Sequence, residues 1–289
     1  MNWFTIALAC AFLTACCDSI SKRIMQENDE WITGTVILAI SLLVLSPVFF
    51  SLDRKPFTTD LAILLAVALP LEVFAYYLFL SSIRMAALSL TVPLLAFTPV
   101  LTVVSSWAIL GEGISWTGGL GISLVTMGAY VLNGDLANRN LLAPITAIFS
   151  HPGSRRMFLV AVIWSVTSTL GKKGVILYDA IPFGVVLVFG DLVIFSLVAL
   201  LRVRMGWTEC HARKNMPGLF VLAGILMAGA EVTHFVAVSL APVAYMISVK
   251  RLSLVFGVIM GWLFFRERNI GYRLMGASIM VCGVFFIYY

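Results

Sequence analysis

The chain has 289 residues, of which 61% are hydrophobic and 11% are charged, and its mean hydropathy is +1.03. A soluble globular domain could not shield this much apolar side chain from water, so the composition excludes that class. The net charge of +5 lies mainly between the apolar segments, as is usual in membrane proteins, and does not indicate nucleic-acid binding.

Apolar segments long enough to cross a bilayer follow one another along the whole chain. Each crossing needs about 20 apolar residues. The predicted membrane spans 1 to 10 are 2–20, 31–50, 61–83, 85–110, 114–133, 157–177, 182–201, 218–240, 242–265 and 271–289. We expect span 1 to be retained, because the first three residues lack the basic start of a signal peptide. The predicted fold class is an all-α integral membrane protein with ten transmembrane helices.

The chain also contains an internal repeat, because residues 83–130 align without a gap to residues 238–285 at a shift of 155. Five spans per repeat is an odd number, so the second repeat enters the membrane from the opposite side and the repeats are inverted. The predicted domains are a first repeat at 1–133, a linker at 134–156 and a second repeat at 157–289. Glu112 and its counterpart Glu267 end spans 4 and 9, and each is expected to cap the next helix.

Lys and Arg residues are distributed unequally between the two sets of loops. Thirteen follow odd-numbered spans and four follow even-numbered spans. Because positive loops usually remain cytoplasmic, this bias places both termini outside. The even number of spans alone predicts only that the termini share a side. The expected location is the cell membrane, with a bacterial inner membrane as the specific prediction, and a monomer and a homodimer both remain open.

Five ionisable side chains lie near the middle of predicted spans, where each costs roughly 2.5–3.5 kcal/mol on insertion scales. They are Glu72 in span 3, Asp191 in span 7, Glu231 in span 8, and Lys250 and Arg251 in span 9. Glu231 and Lys250 each lie about ten residues from the turn between spans 8 and 9, or about 15 Å at 1.5 Å per residue. That depth is near the midplane of a hydrocarbon core about 30 Å thick. We therefore expect a polar belt across the centre of the bundle.

The adjacent cations Lys250 and Arg251 are the sharpest of these signals. Arg presents a planar fork that suits phosphate or carboxylate, and Lys presents a point charge. The hypothesis is that the pair holds an anionic substrate group. The alternatives are a structural ion pair between Glu231 and Lys250, and structural cations that balance Glu231 and Asp191.

Four further side chains lie at a similar depth. His234 is one turn from Glu231, so the two could relay protons, although a histidine packed in the bundle is the more ordinary arrangement. Tyr76 and Tyr77 in span 3 and Trp164 in span 6 are predicted to form a pocket wall, with simple packing as the alternative. No cluster of Cys, His or carboxylates has metal-ligand spacing, so neither a metal nor a cofactor is predicted.

No catalytic or nucleotide-binding motif is present in the sequence. The prediction is therefore a protein that is not an enzyme and does not hydrolyse ATP. An intramembrane enzyme would need a nucleophile and base, or a metal cluster, at one depth, and the sequence offers none that converge.

The chain resembles the drug/metabolite transporter superfamily in its ten-span form with two EamA-like halves. The resemblance rests on Thr98-Pro99-Val100 with Trp107-Ala108-Ile109-Leu110-Gly111-Glu112, and on the second copy, Leu254-Val255 with Trp262-Leu263-Phe264-Phe265-Arg266-Glu267. It implies a basket of helices around a central cavity lined by spans 1, 3, 4, 6, 8 and 9. Every candidate residue except Asp191 lies on those spans.

A narrower resemblance concerns Ser248-Val249-Lys250-Arg251-Leu252, which is similar to a segment of the plastid triose-phosphate translocators. The Lys-Arg pair of those proteins holds phosphate, together with a further Lys in the first half. Here the matching positions of the first half hold Leu95 and Ala96, so that site is at most half reproduced.

The sequence therefore predicts a secondary transporter that moves a small polar metabolite by alternating access. The expected substrate is anionic, bearing phosphate or carboxylate, or is amino-acid-like. The expected roles are anion binding by Lys250 and Arg251, proton coupling or charge balance by Glu72 and Glu231, and cavity shaping by Tyr76, Tyr77 and Trp164. Expected partners are the substrate, membrane lipid, and protons or a counter-substrate. A flippase of a phosphorylated lipid and a non-transporting scaffold or receptor are the alternatives.

Overall fold

The computed structural model describes residues 2–53, 55–85, 91–132, 151–206, 216–257, 259 and 270–289. Within these residues the protein is all-helical, and six of its helices are long and apolar enough to cross a membrane. The helices are α1 Trp3–Met25, α2 Glu30–Ser51, α3 Thr59–Met85, a 3₁₀ helix Val92–Phe97, α4 Thr98–Leu110, α5 Trp116–Leu132, α6 Pro152–Tyr178, α7 Ala180–Arg204, α8 Pro217–Leu240, α9 Val243–Lys250 and α10 Ile270–Tyr288.

The packing of these helices has a two-fold pattern that relates each helix to the one five places along. Helix α1 packs on α8, and its counterpart α6 packs on α3. Helices α2 and α7 pack on each other, as do α5 and α10. Helix α6 begins beside the end of α3, where Ser82 Oγ donates to the carbonyl of Gly153 at 2.8 Å, so it runs opposite to α3. The fold is thus two inverted five-helix repeats.

Both termini lie at the same end of the bundle. The side-chain amide of Asn2 donates to the hydroxyl of Tyr288 at 2.9 Å. An even number of membrane crossings returns the chain to the end of the bundle where it began. The contact between Asn2 and Tyr288 is therefore expected for ten crossings.

Predicted spans 4 and 9 are not continuous α-helices, which corrects the sequence prediction. In the first half, the 3₁₀ helix Val92–Phe97 precedes α4, because Pro93 and Pro99 each lack the N–H that a continuous α-helix requires. In the second half, α9 ends at Lys250 and the chain turns before a helical stretch at 253–257. A shift of 155 places the two interruptions at matching positions of the repeats. Both repeats therefore break one helix at the same level.

Three sequence predictions lie partly outside the described residues. These are residues 134–150 of the linker, Glu267 as the counterpart of Glu112, and residues 258 and 260–265 of span 9. Helix α6 begins at Pro152, within the predicted linker. Helix α1 runs to Met25, beyond the predicted end of span 1, because residues 19–25 contain no glycine or proline to end it.

Candidate functional site

A cavity of about 150 Å³ lies in the centre of the bundle, between α1, α3, the 3₁₀ helix, α6, α7, α8 and α9. One water needs roughly 10–15 Å³ on the same measure, so the space admits about ten waters or one small metabolite. Its charged and ionisable lining side chains are Asp18, Glu72, Asp191, Glu231, His234, Lys250 and Arg251. The structure therefore brings the mid-span charges from both halves to one cavity.

Eight of the nine candidate residues from the sequence line this cavity, and Tyr77 does not. The ring of Tyr77 stacks on Trp31 of α2, with 4.7 Å between ring centroids and 17° between planes. Its neighbour Tyr76 does reach the cavity. Consecutive residues on a helix point about 100° apart, and here the ring of Tyr77 points towards α2 rather than into the cavity.

The two cations lie where α9 ends. Lys250 is in the last turn of α9 and Arg251 is its C-terminal cap, with φ −66° and ψ −12°. The carbonyl end of a helix carries partial negative charge, which stabilises cations placed there. Lys250 Nζ is 3.3 Å from His234 Nδ1. An ammonium group only donates, so Nδ1 of His234 accepts this hydrogen bond and the imidazole is neutral in this arrangement.

Arg251 is 5% exposed, and its Nε is buried without a hydrogen-bond partner among the described residues. Two other lining atoms share this condition, namely Oδ1 of Asp191 and Nε1 of Trp164. Buried polar atoms are almost always hydrogen-bonded in native proteins. These three atoms are therefore the groups on the cavity wall with which a polar molecule in the cavity would form hydrogen bonds.

The mid-span charges are not neutralised by direct ion pairs. Within the described part of the chain, ion pairs closer than 4 Å join Lys55 to Asp179, Arg84 to Glu30 and Lys172 to Glu112, all near helix ends. The alternative of a structural Glu231–Lys250 ion pair is thus not observed among these residues. The Glu72 carboxylate faces Thr167 and Trp164 on α6 instead.

Asp18 is a lining residue that the sequence reasoning missed. It lies on α1, and Lys250 and Arg251 are the cations that act on it. Its α1 neighbours Thr14, Cys17 and Ser21 also line the cavity, as do Thr167 and Ser168 of α6. Ending span 1 at residue 20 placed Asp18 at the membrane boundary, whereas α1 continues to Met25. The sequence did contain a signal that α1 extends past residue 20, because no glycine or proline occurs between residues 19 and 25.

A polar cluster ties three segments together at the end of the bundle that holds the termini. Lys172 Nζ on α6 lies 2.5 Å from Glu112 Oε1 and donates to the carbonyl of Ala241 at 2.7 Å. Glu112 Oε2 accepts from the backbone N–H of Val243 at 3.0 Å. The expectation that Glu112 caps the next helix is therefore wrong, since it caps the start of α9. The left-handed turn at Gly111, with φ 69°, ends α4 just before Glu112.

Comparison with known proteins identifies the family of this chain. Residues 1–134 and 153–289 match the EamA-like transporter family. The chain belongs to the EamA-like transporter family. An EamA-like protein is a multi-pass membrane transporter of the drug/metabolite type, so a small-molecule substrate and a lipid environment follow. Members of the EamA-like family are transporters rather than enzymes.

One solved crystal structure supports the fold of this EamA-like chain. It superposes with a TM-score of 0.77 and 15% sequence identity, over 98% of this chain and 95% of the other. At that identity the similarity shows the shared fold alone. No curated protein matches the sequence significantly. The comparisons do not confirm the narrower resemblance to triose-phosphate translocators at Lys250 and Arg251.

Proposed function

We propose that this EamA-like protein is a secondary transporter of a small polar metabolite that carries at least one phosphate or carboxylate group. The observation that carries the proposal is the guanidinium of Arg251, buried at a central cavity with an unpartnered Nε. A buried cation without a hydrogen-bonded anion is costly, so an anionic ligand is the natural complement.

Two further groups favour an anion at this wall of the cavity. Lys250 adjoins Arg251, and within the described part of the chain its ammonium is hydrogen-bonded to His234 and forms no ion pair closer than 4 Å. The indole N–H of Trp164, which faces Glu72, makes no hydrogen bond within the described part of the chain. An arginine fork, an ammonium and an indole N–H are all donors, and phosphate or carboxylate oxygens are acceptors.

The other walls give the remaining roles. The rings of Phe79 and Trp164 pack at 5.2 Å between centroids and, with Tyr76, give the cavity an aromatic side for an uncharged part of the substrate. Glu72 and Glu231 balance the cations or exchange protons. These assignments are proposals that extend the sequence hypothesis to the observed cavity.

Alternating access is the mechanism we propose for movement of the substrate. The repeats at 1–133 and 157–289, joined by the linker at 134–156, would rock around the fixed cavity. The interruptions at Val92–Phe97 and after Lys250 supply the bending points, since short 3₁₀ stretches in helices often mark hinges. The proposed location is the bacterial inner membrane, with the loops after odd-numbered spans in the cytoplasm.

An amino-acid-like substrate is the second candidate, and one observation favours it. Asp18 lies on the cavity wall under the influence of Lys250 and Arg251, so a carboxylate and two cations line the same space. A molecule with a carboxylate and an ammonium could satisfy both. A non-transporting scaffold is disfavoured, because it would have a filled interior with paired charges.

A ligand screen tests the proposal. Purified protein is heated in detergent with separate panels of phosphate-bearing metabolites, carboxylates, amino acids and uncharged sugars. A ligand at 100 times its Kd stabilises the folded state by about 2.7 kcal/mol, which raises the unfolding temperature. We expect stabilisation by at least one anionic or amino-acid panel, its loss in Arg251→Ala and its retention in Arg23→Ala, an exposed arginine near the end of α1. Stabilisation by sugars alone, or equal stabilisation of Arg251→Ala, would contradict the assignment.

A further inference from the structure

Three acidic side chains on three different helices line the cavity. Asp191 projects from the middle of α7, Glu72 from α3 and Glu231 from α8, and all three line the cavity. Glu72 and Glu231 are the two charged groups that act on Asp191. The proposed anion site uses the cations Lys250 and Arg251 at the end of α9, and it assigns no role to Asp191.

Of these three carboxylates, Asp191 has the fewest neighbouring groups that would stabilise its negative charge. It is 8% exposed, and its Oδ1 is buried without a hydrogen-bond partner in the part of the chain that the structure describes. Glu72 faces Thr167 and Trp164. The positive charge of Lys250 acts on both Glu72 and Glu231. Among the described residues, no cation is one of the groups that act on Asp191. An ionised carboxylate in that position would have neither a donor nor a cation to stabilise it.

The elements packed against α7 bring no compensating charge. They are α2, α3, α6 and α8. Helix α3 presents Glu72 and Tyr76 to Asp191, and α8 presents Glu231. Helix α2 has its only ionisable side chain, Glu30, in its first turn, and the four basic residues of α6 lie near its two ends. Lys250 and Arg251 lie on the α9 side of the cavity.

The trio is poorly arranged for a metal ion. Metal cations in proteins need several oxygen ligands that converge at about 2.0–2.6 Å. Among the described residues no group of three or more His, Cys, Asp or Glu side chains is close enough to hold one. A proton needs only one carboxyl oxygen, so it is the cation that this geometry can accept.

We propose that Asp191 is the proton-carrying residue of the transporter, with Glu72 and Glu231 as its acidic neighbours in the cavity. When the cavity opens and water enters, the O–H bond of Asp191 breaks, its proton passes to a water molecule, and water solvates the carboxylate that remains. The carboxylate takes a proton back before the cavity closes. This inference rests on the proposed function, since the proton cycle needs a cavity that opens and closes.

Infrared spectroscopy of the purified protein tests the proton site without any substrate. A protonated carboxyl group has a C=O stretching band that shifts on exchange into D₂O. We expect this band in the wild type at neutral pH and its loss or reduction in Asp191→Asn. Asp179→Asn is the matched control, because Asp179 is half-exposed and paired with Lys55 at 2.8 Å, and its band pattern should equal that of the wild type. An Asp191→Asn spectrum identical to that of the wild type would overturn the proposal.

Two further measurements keep the proposal testable if Asp191→Asn does not fold. In Glu72→Gln and in Glu231→Gln, removal of a neighbouring negative charge should let the Asp191 band disappear at a lower pH than in the wild type, whereas an unchanged or higher pH would count against the trio. Sodium added at constant pH should leave the band in place, and its removal by sodium would identify a metal-cation site instead. Failure of the ligand screen with this band intact would reject the transport proposal and leave the proton site standing.

Discussion

Glu112 and Lys172 form the most buried ion pair of the three at helix ends, with side-chain exposures of 19% and 15%. They also hold two backbone groups of the turn between α8 and α9, the carbonyl of Ala241 and the N–H of Val243. Removing either charge leaves the other partly buried with unmet hydrogen bonds. The pair therefore fixes where α9, and the cations at its far end, sit relative to α6.

We expect Lys172→Met to lower the free energy of unfolding by about 1.5–3 kcal/mol, the range for hydrogen bonds to charged groups. The measurement is denaturant unfolding in detergent, with Glu112→Gln and the double variant completing a cycle. Lys55→Met is the control, because its partner Asp179 is half-exposed and such pairs contribute about 0.2–1 kcal/mol. Equal losses in Lys172→Met and Lys55→Met would show that burial does not strengthen the Glu112 pair.

At the level of single residues, the sequence predicted how deep a side chain lies in the membrane better than which way it points from its helix. Glu72, Asp191, Glu231, Lys250 and Arg251 all reach the cavity, because the cost of burying charge in lipid forces such residues towards the bundle interior. Tyr77 has no such constraint, and packing against Trp31 decided its direction. Which neighbour accepts an aromatic ring depends on tertiary packing, so sequence reasoning could not separate Tyr76 from Tyr77.

Helices α5 and α10 approach each other more closely than ordinary side chains permit. A Cβ atom built on Gly128 would lie 2.6 Å from the backbone nitrogen of Met280 and 2.7 Å from the carbonyl oxygen of Gly276. Backbone atoms cannot move aside as the end of a flexible side chain can. The glycines of this helix pair are therefore required by helix contact, as in other closely packed membrane helices.

We expect Gly128→Ala to destabilise the protein by about 1–3 kcal/mol, the usual cost of overpacking. Gly119→Ala on the same helix is the matched control, since its added Cβ would meet only Ile114 Cδ1, at 3.5 Å. That variant should be unchanged, or more stable by about 0.5–1 kcal/mol, because alanine is the better helix former. Thermal unfolding of both variants in detergent measures the difference, and a loss at Gly119 as large as at Gly128 would refute the close approach.

At the level of helices, hydrophobic length predicted the spans well and their interruptions poorly. A continuous apolar segment does not show where the backbone leaves α geometry. Pro93 and Pro99 were visible signals for the break in the first half, whereas the residues around Arg251 contain no proline or glycine until Gly257. The second break was detectable only through the repeat, which places 247–252 on Val92–Phe97.

The whole molecule brings its termini together, and this determines a topology experiment. Asn2 and Tyr288 are hydrogen-bonded at one end of the bundle. Reporters that are active only in the cytoplasm or only outside it should therefore give the same answer at both ends of the chain. The excess of Lys and Arg in the loops after odd-numbered spans predicts the outside for both. Opposite results for the two termini would contradict the ten-span arrangement.

The central claim is that the charged cavity between the two repeats moves a polar anionic solute. The most direct measurement is uptake, by proteoliposomes, of the anionic compound that stabilises the protein best. We expect saturable uptake by the wild type and by Arg23→Ala, and at least a tenfold loss in Arg251→Ala, since one charge-assisted hydrogen bond contributes about 1.5–3 kcal/mol and 1.4 kcal/mol is a factor of ten. Uptake by Arg251→Ala at the wild-type rate, or no uptake above protein-free liposomes in any variant, would contradict the account.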